Sequence, residues 1–289
     1  MKELFIFFSL TYNKTRHILN IQFLCKYFVI AMSDKKLVVQ HNKIIEARYR
    51  LSIGEQRLIK WLVSTIEADD EDFKKYRIHV IELADLLDIK RKDFYDAVKL
   101  ATKKLIGNVL TFEMNSDTIQ TSWLATAQYH KGNGVVDLQF SPVLKPFLLQ
   151  LKRNFTSYEL GNVIHLKRIY SIRLYELLKQ YERIGRRRFL IEDLRNIFMV
   201  DESQYKLYQD FKKYILLAAQ EELREKTDID FDMIEERKWK TCVAIEFIIK
   251  PQVRPQKAIK NDEIIENNKL PEGSPSNTIR TYAQGSSWR

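Results

Sequence analysis

Five apolar positions recur in register 111 residues apart: Val80, Leu83, Leu86, Leu87 and Ile89 are matched by Ile191, Leu194, Ile197, Phe198 and Val200. A chain that repeats part of itself is restricted to folds in which one supersecondary unit is used twice. The register drifts outside this stretch, so the match alone fits either a duplication or a chance agreement of two amphipathic helices. The order of elements on either side favours duplication.

Around the first copy, Ser52-x-x-Glu55 is a capping box, followed by Leu58, Ile59, Leu62, Val63 and Ile66 on one helical face, which predicts a helix over 52–68. A short strand is expected over 76–80, and helices over 82–89 and 93–106. Gly107-Asn108 stops the last of these. Alternating stretches 120–130 and 135–140, joined by Lys131-Gly132-Asn133-Gly134, predict a hairpin. The second copy repeats this order: helix 166–181, strand 187–191, helix 192–200, a longer helix over Tyr205 to Glu225, and hairpin strands 229–233 and 241–249. Helix, strand, helix, helix, hairpin is the order of a winged helix-turn-helix. The expected fold class is therefore α+β, two tandem winged-helix domains over 32–150 and 151–250.

The ends read differently. Residues 4–10 and 18–30 are apolar, but Asn13, Lys14, Arg16, His17, Asn20, Gln22 and Lys26 interrupt them. No run reaches the roughly 18–20 residues of a membrane span, and no small-residue cleavage site follows. Residues 1–31 are expected to be an upstream extension outside the fold, which leaves both Met1 and Met32 open as the start of translation. Residues 251–289, with Pro251, Pro255, Pro271 and Pro275 among polar residues, read as a flexible tail.

Charge and chemistry narrow the function. Lys and Arg number 48 against 38 Asp and Glu, a net charge of +10, which favours a polyanionic partner. Cys25 and Cys242 are too few and too far apart for a disulfide framework or zinc site, which suits a reducing cytoplasm. None of the glycines opens a phosphate-binding loop, and His17, His41, His79, His130 and His165 form no close metal-holding pair. A nickase with a tyrosine nucleophile would need such a pair. Asp69 to Asp72 lacks a calcium-loop pattern and reads as a solvated loop. No enzyme, cofactor or metal is expected.

The helix expected from Tyr205 to Glu225 is the strongest candidate for contact with a polyanionic partner. At about 100° per residue, Leu207, Phe211, Tyr214, Ile215 and Ala218 face inward. Lys206, Gln209, Lys213 and Gln220 face outward, flanked by Lys212, with no carboxylate on that face. Such residues could merely solvate a surface helix. As the third helix of a helix-turn-helix they suit a major groove, where Lys reaches guanine or phosphate and Gln pairs with adenine. Arg186, Arg187 and Arg188 before the strand, and Arg237, Lys238 and Lys240 around Trp239 at the hairpin tip, are candidates for phosphate contacts. In the first unit the equivalent helix points Asp93, Asp96, Leu100 and Lys103 outward, and the two carboxylates predict weaker DNA contact.

Phe155-Thr156-Ser157-Tyr158-x-Leu160 and Tyr170-Ser171-Ile172-Arg173-Leu174-Tyr175-Glu176-Leu177-Leu178-Lys179, with Arg48-Tyr49-Arg50-Leu51-Ser52 and Glu55-Gln56-Arg57-Leu58 upstream, resemble the initiator Rep family of theta-replicating, iteron-bearing bacterial plasmids. The likeness covers roughly residues 37–250. It implies a protein that binds direct repeats in double-stranded origin DNA as a monomer, opens the adjacent duplex and recruits host replication proteins. It also implies a homodimer formed through the first unit, which represses its own gene at an operator and so takes part in copy control. The second unit would be the main reader, over Tyr205 to Lys213. Two functions compete: a winged-helix transcription regulator without initiator activity, and a rolling-circle nickase.

Overall fold

The structure is a computed structural model and describes residues 35–254 apart from 90–93 and 202. The expectations for 1–31, for most of the tail and for Asp93 lie outside the described residues. No helix among the described residues is long and apolar enough to cross a membrane.

The first unit opens with β1 (Leu37–His41) and α1 (Asn42–Glu46), followed by α2 (Ile53–Val63), β2 (Tyr76–His79), α3 (Val80–Leu86) and α4 (Phe94–Gly107). Four strands follow: β3 (Val109–Met114), β4 (Asp117–Ser122), β5 (Leu124–His130) and β6 (Val135–Phe140). A short α5 (Lys145–Leu148), β7 (Phe155–Glu159) and α6 (Gly161–Ile164) lead to the second unit. That unit is α7 (Ile169–Lys179), β8 (Arg186–Leu190), α8 (Ile191–Phe198), a composite third helix described below, β9 (Ile229–Lys238) and β10 (Thr241–Pro251).

The duplication is visible in the sheets. The first is ordered β2-β6-β5 and the second β8-β10-β9, so in each the strand after the first helix pairs with the last strand, which pairs with the middle one. All four of these pairings are antiparallel. The capping box forms: the Ser52 hydroxyl accepts from Glu55 N at 3.3 Å and the Glu55 carboxylate accepts from Ser52 N at 2.7 Å, satisfying two amides at the start of α2. Gly54 lies where α2 meets the end of α3, and a Cβ there would fall 2.6 Å from the Leu87 carbonyl oxygen.

Several expectations shift. The strand anticipated over 120–130 is two strands, β4 and β5, broken at Trp123. The fully buried indole turns in against Tyr49, 5.3 Å away edge to face, so the chain cannot continue one pleat. The hairpin of β3 with β4 precedes it. Strand β7, on the second side of the expected division at 150/151, pairs with β1 at the start of the first unit. The second hairpin is longer than expected, because the charged run Glu235-Glu236-Arg237-Lys238 continues the strand rather than forming the turn.

The two units share one interior. Helix α7 carries Glu176, fully buried, whose carboxylate lies 2.7 Å from Lys60 Nζ of α2 and accepts from the Tyr158 hydroxyl at 2.5 Å and from the Gln40 amide. One turn earlier, Arg173 donates to the Ala47 carbonyl at 2.6 Å and stacks over Tyr49 with 4.0 Å to the ring centre. Arg173 and Glu176 both belong to the stretch that carried the family resemblance. Burying a charge is costly unless it is paired and hydrogen-bonded; Glu176 is offset by Lys60, whereas Arg173 is held by carbonyl oxygens and the Tyr49 ring.

Candidate nucleic-acid interface

The third helix of the second unit, the candidate reading helix, is not a continuous α-helix from Tyr205. It consists of α9 (Tyr208–Phe211), a π-helical segment Lys212–Leu217, and α10 (Ala218–Lys226). Tyr205 has φ of +51°, outside helical geometry, so Lys206 stands on the turn before the helix rather than on its first turn. Arg195 of α8 fixes this turn by donating to the Tyr205 carbonyl at 2.6 Å while lying over the Phe211 ring at 4.5 Å. Nothing in the local pattern of charges singled out Arg195.

The wider π turn changes which side chains face the core. Phe211, Ile215, Leu216, Ala219 and Leu223 are buried, whereas Leu207 is 68% and Tyr214 52% exposed, contrary to the regular wheel that turned both inward. Gln220, expected to face outward, is half-buried and donates to the Phe231 carbonyl. Lys206, Gln209 and Lys213 are exposed, with the Lys213 ammonium 5.0 Å from the Tyr214 ring centre.

The wing joins this helix through one carboxylate. In β9, residues two apart share a face, so Arg237 lies beside Glu235, with 2.5 Å between guanidinium and carboxylate. Lys212 reaches the same carboxylate from the helix at 2.6 Å. The Lys212 hydrogen bond, reinforced by Arg237, holds the Glu235 pKa down at about 2 against the opposing effect of burial. On the other face Arg188 reaches Glu236 at 2.7 Å, and Arg186 stands 3.9 Å from Glu246. Lys238 and Lys240 are exposed at the tip, and among the described residues no carboxylate pairs with Lys206, Lys213, Lys238 or Lys240.

Arg187 departs from the expected role. It is 8% exposed, pairs with Glu46 at 2.6 Å, donates to the Leu177 carbonyl at 2.7 Å and to Gln180, and lies between the Tyr181 and Phe189 rings. Strand alternation explains this: in β8 positions 187 and 189 point inward while 186 and 188 point out. Arg187 therefore braces the two units and does not reach the surface.

In the first unit, Asp96, Leu100 and Lys103 of α4 are exposed as expected, and Asp96 stands 4.0 Å from Lys99. The hairpin β5–β6 projects beside it, with Gly132 and Gly134 at φ of +83° and +62° in its turn.

The comparisons with known proteins agree with this architecture. A relative from Escherichia coli, an uncharacterised 27.6 kDa protein, is 25% identical over 213 residues, covering 68% of this chain and 89% of its own length. The crystal structure of the Pi initiator protein in complex with iteron DNA superposes with a TM-score of 0.58 at 18% identity, over 74% of this chain and 96% of that one, a likeness of fold. The family description for the first winged-helix domain of initiator replication proteins matches residues 37–179, and that for the second matches 190–249. With both winged-helix domains present in order, the chain belongs to the initiator replication protein family.

Proposed function

We propose that this initiator binds iterons at a plasmid origin through double-stranded DNA contacts made mainly by the second unit. The observation that carries the reading is the exposed Gln209 and Lys213 on the third helix with Lys206 on the turn before it, the lysines without carboxylate partners among the described residues, beside a wing bearing Lys238 and Lys240. Gln209 and Lys213 suit base edges in the major groove, and Lys206 a flanking phosphate. Arg186, Arg188, Lys238 and Lys240 suit the phosphate backbone, with Lys212 and Arg237 released to it when Glu235 yields them. The first unit contributes lighter contact, because Asp96 on α4 repels phosphate.

The reading extends to assembly. Binding at repeats by a monomer opens the adjacent duplex and brings host replication proteins, whereas a homodimer formed through the first unit represses the chain's own gene, in the cytoplasm and without catalysis by the chain. Footprinting of the purified protein on DNA upstream of its coding sequence tests this. Protection repeating with the period of direct repeats is the expected result. Protection confined to one inverted repeat supports a regulator instead, and cleavage of an origin strand in Mg²⁺ or Mn²⁺ a nickase.

A further inference from the structure

The tip of the β9–β10 hairpin holds a side chain that the reading above leaves without a task. Lys238 pairs with Thr241, so the turn consists of Trp239 and Lys240 alone. Trp239 is 94% exposed, the highest value among the exposed large hydrophobic residues, and its φ is +60°. Lys240 is not among the residues with positive φ, and a positive φ at the first central residue only marks a type II′ turn, where glycine is the usual occupant. Folding alone thus disfavours this residue here twice, since a bulky side chain adopts left-handed backbone reluctantly and an indole in water leaves a large apolar surface unburied. Lys238 and Lys240 flank it on both sides.

We propose that Trp239 is a base-stacking wedge: its indole enters the minor groove beside the major-groove site of the reading helix and stacks on a base step that it partly unstacks. The inference rests on the DNA-binding reading given above. Wedges of this kind are large, apolar and presented on a narrow projection, and the partners they need are π faces, which every base step offers once its stacking loosens. A two-residue turn is narrow enough, and Lys238 and Lys240 stand where the phosphates on the two sides of the groove would meet them. The wedge gives an initiator a local distortion at each bound site, made by the chain itself.

The experiment uses duplexes carrying the DNA upstream of the chain's own coding sequence, with 2-aminopurine substituted at successive adenines, since its emission rises when a neighbouring base unstacks. The chain also contains Trp61, Trp123 and Trp288, so the probe belongs on the DNA rather than the protein. We expect the parent to raise emission at one step beside the protected segment, Trp239→Phe to retain most of that rise, and Trp239→Gly and Trp239→Ala to lose it while the protected segment remains and affinity falls about tenfold. Trp239→Gly relieves the turn, so its thermal midpoint should be no lower than the parent's. A rise that persists in Trp239→Ala, or a parent that protects the DNA with no rise at any position, overturns the wedge alone. A parent that protects no segment overturns the binding reading and the wedge with it.

Discussion

Lys212 of the reading helix and Glu235 of the wing strand meet at 2.6 Å, and Arg237 closes on the same carboxylate from the other side. One acid thereby fastens the helix to the wing and neutralises two cations of the proposed DNA face.

Replacing Glu235 by Gln keeps the shape and removes the charge. We expect tighter binding to duplex of any sequence, a steeper salt dependence by about one to two phosphate contacts, and a smaller ratio of specific to non-specific affinity. Anisotropy titrations at several salt concentrations, on upstream and on scrambled DNA, measure all three. Unchanged salt slopes would mean that removing the carboxylate frees neither Lys212 nor Arg237 for a further phosphate contact.

The same acid predicts how stability responds to pH. Its pKa in the folded chain, about 2, lies below the ordinary glutamate value, so its contribution is present above about pH 4.5 and is lost as pH falls toward 2. The Arg77 hydrogen bond likewise holds Asp137 down, with His130 adding to it. Urea midpoints should fall across that acid window in the parent. In Glu235→Gln the fall should be shallower, and a parallel decline in both proteins would refute the assignment.

Lys206→Ala with Lys213→Ala should abolish specific retardation of upstream DNA while far-ultraviolet circular dichroism is unchanged. Lys238→Ala with Lys240→Ala should weaken binding to every sequence and flatten the salt slope by about two contacts, because phosphate carries no sequence information. If the first pair behaves like the second, the helix grips the backbone and does not read bases.

The buried pair of Lys60 and Glu176 makes a separate prediction about stability. Lys60→Met strands a carboxylate in the interior and should destabilise the chain by about 3–5 kcal/mol in urea unfolding. Lys60→Met with Glu176→Leu should recover part of this loss, limited by the partners left to Gln40 and Tyr158. Equal losses in the single and double variants would show that the charge is not the source.

Gly54→Ala should destabilise by about 1–3 kcal/mol, since the added methyl meets the Leu87 backbone rather than a movable side chain. Thermal melting checks it, and an unchanged midpoint would mean that α2 and α3 can separate slightly at no energetic cost.

What could be read from the sequence follows the range of the interactions. The Ser52–Glu55 cap, the Lys131-to-Gly134 turn and the apolar faces of α3 and α8 are local, and they form where the pattern placed them. Pairing of β1 with β7 joins segments more than a hundred residues apart and leaves no local trace. A regular period cannot register one widened turn, which puts Tyr214 outside, and Leu207 stands outside because the helix begins only at Tyr208. Among the candidate site residues, the cations were legible as residue types but their partners were not. Alternation along β8 would have flagged Arg187 as inward, whereas the reach of Lys212 to Glu235 depends on how helix and wing pack.

A shared interior has a mechanical consequence. Lys60, Gln40 and Tyr158 converge on Glu176 within the stretch matched by the first domain, and Arg187 ties β8, leading into the second, to Glu46, so an ion pair fastens one domain to the next. Where both domains grip DNA as proposed, the spacing between the grips is then set by the protein, and inserting half a helical turn between them should let one domain bind only at the expense of the other.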